Sequence, residues 1–97
     1  LLTYARGEQL SPEQMAFLRA EALPGDPLPN AADTIGIALD GIDRALAQVR
    51  ATEVATLQQA RGVGRRQLPT TVMGLLFHAA EHASRHAGQI ATTRKIV

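Results

Sequence analysis

The 97-residue chain contains no cysteine, which removes disulfides, thiolate metal ligands and an intrinsic thiol nucleophile together. Aromatic residues are scarce at 3%, and tryptophan is absent. A core drawn from the 45% of residues that are apolar must therefore be built from Leu, Ile, Val, Met and many alanines, a composition that favours closely packed helices. Neither sign of charge dominates. Ten Lys and Arg stand against nine Asp and Glu for a net charge of +1, so nothing points to nucleic acid or another polyanion. No apolar run approaches a membrane span and no signal-like leader is visible. A single soluble domain over residues 1–97 is expected, and the lack of cysteine is compatible with a reducing cytoplasm.

The residues that are present consist largely of helix punctuation. Ser11-Pro12-Glu13-Gln14 predicts a helix start, with Ser11 as cap, Pro12 at the first helical position and Gln14 completing a capping box. Leu10 and Met15 can add a hydrophobic staple. Met15, Leu18 and Ala22 share a face, so this short helix should run to about Ala22. Residues 23–30 hold Pro24, Gly25, Pro27 and Pro29, breakers that only a loop tolerates, and Asn30 is placed to cap the next helix. From Ala31 to about Arg50, Ile35, Leu39, Ile42, Leu46 and Val49 recur at alternating steps of four and three, the stripe of a packed helix. Thr52 can cap a short extra turn through Leu57. Residues 58–69 lose periodicity and read as a long connection with Gly62, Gly64 and Pro69, after which Thr70 or Thr71 opens a final helix to about Lys95.

No strand pattern of useful length appears, so the expectation is all-α. Two long amphipathic helices cannot close a core by themselves, and a third and fourth must come from upstream residues or another chain. Leu1-Leu2-Thr3-Tyr4-Ala5-Arg6-Gly7 reads as the last turns of a helix closed by glycine, which suggests that residues precede Leu1.

All three histidines lie on the final predicted helix. His78, His82 and His86 are four apart, which stacks successive imidazoles one turn apart on one face, where two can reach a single ion. Neutral imidazole suits zinc, nickel, iron and copper. Val72, Leu75, Ala79, Ile90 and Val97 define an apolar direction. At about 100° per residue, His86 lies roughly 20° from it, His82 about 60° and His78 about 100°. His86 and His82 are thus expected to face inward, with His78 at the edge. Two histidines leave a metal under-coordinated, so a further ligand is needed. Glu81 reads as a solvated partner or a neighbour of the site, and Gln89 as a hydrogen bonder to His86 or to an adjacent helix.

Leu75-Leu76-Phe77-His78-Ala79-Ala80-Glu81-His82-Ala83-Ser84-Arg85-His86-Ala87-Gly88-Gln89-Ile90 resembles the last helix of the DinB/YfiT-like metal-binding four-helix bundles, which reads approximately LLxHxxEHxxxHxGQI. Leu68-Pro69-Thr70-Thr71-Val72 also looks like the family, and the similarity covers essentially the whole chain. The resemblance implies an up-down four-helix bundle of which residues 1–97 supply the C-terminal two-thirds. It implies His82 and His86 as paired ligands to zinc, nickel or iron, with His78 matching a frequent but less essential histidine. A third ligand histidine would precede Leu1.

Characterised relatives include enzymes that use the metal to activate the thiol of mycothiol, bacillithiol or glutathione for transfer or isomerisation, so a thiol S-transferase or hydrolase is expected. The lack of cysteine fits a thiol supplied by a cosubstrate. Arg61, Arg65 and Arg66 beside Gly62 and Gly64 are candidate receivers of its carboxylates, although a solvated basic loop explains them as well. The alternative is a non-catalytic metal-binding or dimerising helical bundle, and a homodimer is the expected assembly. His78-Ala79-Ala80-Glu81-His82 also matches the H-x-x-E-H pattern of inverted zinc proteases, but that pattern ignores His86.

Overall fold

A computed structural model describes residues 1–20 and 30–96. Its elements are α1 (Leu2–Ala5), α2 (Pro12–Ala20), α3 (Ala31–Ala51), a 3-10 turn at Val54–Thr56, β1 (Ala60–Val63), β2 (Leu68–Thr71) and α4 (Val72–Ile96). They divide into two compact units, one made of Leu1–Glu8 with Glu53–Val97 and the other of Gln9–Thr52. No helix among the described residues is long and apolar enough to cross a membrane. The loop expected over residues 23–30 and the expected helix end at Ala22 lie outside the described residues, except for Asn30.

The first unit corrects the expected fold class. In place of an all-α, up-down four-helix bundle, residues 58–69 contribute to an antiparallel hairpin. Ala60 stands opposite Thr71, Arg61 opposite Thr70, Gly62 opposite Pro69 and Val63 opposite Leu68. Helix α1, at 4 residues, is also too short to serve as a bundle member. Strands of four residues give too few positions for a period-2 pattern to emerge. The turn does carry a local signal. Gly64 has φ +71° and Gln67 φ +50°, and the Gln67 side-chain amide donates to the Gly64 carbonyl at 2.9 Å. A Cβ at Gly62 would lie 2.3 Å from Gln67 Oε1, so glycine there makes room for the side chain that closes the turn.

The hairpin seats the start of α4. Thr71 Oγ1 accepts from the Gly74 amide at 3.0 Å. The Val72 and Met73 amides donate to the carbonyls of Gln59 and Leu57 at 3.1 and 2.9 Å. Three of the amides that a helix N-terminus leaves without an intrahelical partner are thereby satisfied. Val72 and Leu75 are buried here, together with Thr3 and Ala5 of α1. Full burial of a Leu75-sized side chain stabilises by about 1.5–3 kcal/mol. Helix α1 ends as expected of Gly7. That residue has φ +80°, its amide donates to the Tyr4 carbonyl at 2.9 Å and the Glu8 amide donates to the Thr3 carbonyl at 3.2 Å, the paired bonds of a Schellman closure. From Ala80 to Ile96 every residue of α4 is exposed.

In the second unit the caps form where the sequence placed them. Ser11 Oγ accepts from the Gln14 amide at 3.1 Å, and Gln14 Oε1 accepts from the Ser11 amide at 2.8 Å. Asn30 Oδ1 accepts from the Asp33 amide at 2.8 Å to open α3. Thr52 closes α3 by donating its hydroxyl to the Gln48 carbonyl at 2.7 Å, and the 3-10 turn beyond has Glu53, not Thr52, at its N-cap. The apolar stripe of α3 is exposed throughout, from Leu46 at 45% to Leu39 at 58%.

Candidate metal centre

The stretch of α4 that carries the histidines is held helical by its own chemistry. Ala79, Ala80, Ala83 and Ala87 are the strongest helix formers, and Glu81 pairs with Arg85 at i,i+4 with a 2.5 Å contact, the favourable order of acid before base. Arg94 and Lys95 close the last turn, where positive charge complements the helix dipole.

That regularity brings His82 and His86 together. Their Nε2 atoms are 2.8 Å apart, with ring centroids at 4.4 Å and planes at 79°. His86 Nδ1 lies 2.8 Å from Gln89 Oε1. His78 stands apart from this pair, its ring centroid 6.3 Å from that of His82. Two imidazole nitrogens bound at about 2.05 Å to one ion are separated by about 2.9 Å for a right-angled pair and about 3.3 Å for a tetrahedral one. The 2.8 Å between the His82 and His86 Nε2 atoms lies just below the right-angled separation. Among the described residues no group of three or more His, Asp or Glu side chains is arranged to hold a metal. What the helix brings together is thus two imidazole nitrogens.

The expected inward facing of His82 and His86 does not appear in the burial, because all three histidines are exposed. Phase along a helix tells which residues share a face but not whether anything covers that face, and here the covered part of α4 ends with its first turns. Glu81 is engaged by Arg85 and forms no hydrogen bond with His78 or His82 among the described residues.

Arg61 is drawn into the fold. Its Nε donates to the Ala5 carbonyl at 3.0 Å, and its terminal nitrogens donate to the Ala60 carbonyl at 2.9 Å and Gln59 Oε1 at 3.2 Å. Arg65 and Arg66 are exposed in the hairpin turn. Among the described residues, none of the three forms a hydrogen bond or ion pair with the histidine row. Ile90, Thr93 and Arg94, which sequence reasoning did not assign to the site, line an open concavity of about 700 Å³ with His86 and Gln89. The signal was available, since residues 90, 93 and 94 follow His86 by four, seven and eight positions and share its face.

No family model, curated protein or solved structure matches this chain.

Proposed function

We propose that His82 and His86 bind a divalent transition metal, zinc, nickel or iron, through their Nε2 atoms. On this reading the protein is a metal-dependent enzyme of the DinB/YfiT-like kind, a thiol S-transferase or hydrolase. The single observation that carries the reading is the 2.8 Å approach of the two Nε2 atoms. A bound divalent ion lowers the pKa of a coordinated thiol or water, so that thiolate or hydroxide is available at neutral pH to attack an electrophile. This chain's own part is to hold two nitrogen donors on a rigid helix and leave the rest of the coordination sphere open. The lack of cysteine in the chain fits a reacting thiol supplied by a cosubstrate such as bacillithiol, mycothiol or glutathione. A reducing cytoplasm fits that chemistry.

A non-catalytic metal-binding or dimerising role is the second reading. It is favoured by the exposed stripe of Ile35, Leu39, Ile42, Leu46 and Val49 on α3, an apolar face of the kind that associates with another helix.

Metal analysis of the purified protein tests the first claim. Wild type should hold a first-row divalent metal, and His82→Ala or His86→Ala should abolish it. Unchanged metal in both variants would remove the site. Metal-dependent thiol transfer to an electrophile then separates the enzyme from the scaffold.

A further inference from the structure

The two histidines of the pair have different hydrogen-bond surroundings. His86 Nδ1 meets Gln89 Oε1, an oxygen that can only accept. The proton of a neutral His86 must then sit on Nδ1, which leaves Nε2 with a free lone pair. His86 Nε2 in turn lies 2.8 Å from His82 Nε2. Two lone pairs at that distance repel, so the hydrogen bond requires His82 to carry its proton on Nε2 and to donate it. Among the described residues, His82 Nδ1 meets no hydrogen-bond partner.

We infer that Gln89 is a positioning residue that presets the tautomer of His86 for metal binding, whereas His82 must change tautomer to become a ligand. The metal half of this inference rests on the proposed function above. In the metal-free protein, the His82 Nε2–H proton occupies the space between the two nitrogens and holds the pair together. To offer its Nε2 lone pair to an ion, His82 would lose the Nε2–H proton and gain an Nδ1–H proton through exchange with water. The exchange would leave both imidazoles neutral, with no net proton released and no change of oxidation state. His86 keeps its Nδ1–H bond to Gln89 throughout. The i,i+3 spacing on α4 supplies this contact locally.

Nitrogen-15 NMR of the histidine rings tests the assignment on the intact protein, with diamagnetic zinc as the probe. The metal-free protein should show His86 protonated at Nδ1 and His82 protonated at Nε2, and zinc should invert His82 alone. Gln89→Leu should mix the His86 tautomers and weaken zinc about 10- to 100-fold. Gln89→Glu, which keeps an acceptor at the same reach, should retain both the tautomer and the affinity. A metal-free His86 protonated at Nε2 would overturn the inference, as would Gln89→Leu with unaltered tautomer and affinity. If wild type binds no zinc, the metal reading fails with the positioning role. The metal-free spectrum distinguishes this from a wrong hydrogen-bond assignment.

Discussion

The two ends of α4 lead different lives. Its first turns are seated on the hairpin, with three amides bonded to Thr71, Gln59 and Leu57 and with Val72 and Leu75 buried. The stretch from Ala80 onward, which carries His82 and His86, is exposed along its whole length. Burial and the proposed metal site are thus separated on one helix. The anchored end supplies a fixed direction and the exposed end presents donors whose mutual geometry needs only the helix itself.

Substitutions at the two ends should differ accordingly. Leu75→Ala should have the largest effect, about 2–5 kcal/mol of destabilisation measured by denaturant unfolding, because the cavity forms in the small buried cluster with Ala5 and Val72. A loss below about 1 kcal/mol would mean that the cluster does not anchor the helix. Thr71→Val, which keeps the β-branched shape and removes the hydroxyl bonded to the Gly74 amide, should cost about 1 kcal/mol in the same measurement. The smallest effect belongs to the exposed end. His82→Ala should change stability by no more than about 0.5 kcal/mol while removing bound metal. A large loss of stability without metal present would erase the contrast between the two ends.

Features made by neighbours in sequence were legible. The Ser11–Gln14 capping box, the Asn30 cap, the Gly7 closure and the approach of His82 to His86 all depend on residues within five positions of one another. The hairpin was not legible, since each strand is only four residues long and its register joins residues up to eleven positions apart. Even so, Gly64 at the turn and the β-branched Thr70-Thr71 pair were visible signs. Arg61 shows the same limit within the candidate site. The glycines around it suggested an anion receiver, but its Nε donates to the carbonyl of Ala5, 56 positions away.

The amino-acid sequence by itself determined where α2 and α3 start and that His82, His86 and Gln89 share a face, because backbone hydrogen bonds and helical periodicity act over one or two turns. Tertiary structure alone decided that residues 60–71 pair as strands, that Arg61 ties α1 to β1, and that burial on α4 ends before the histidines. Pairing and burial depend on which distant surfaces meet, and nothing in a local pattern states that.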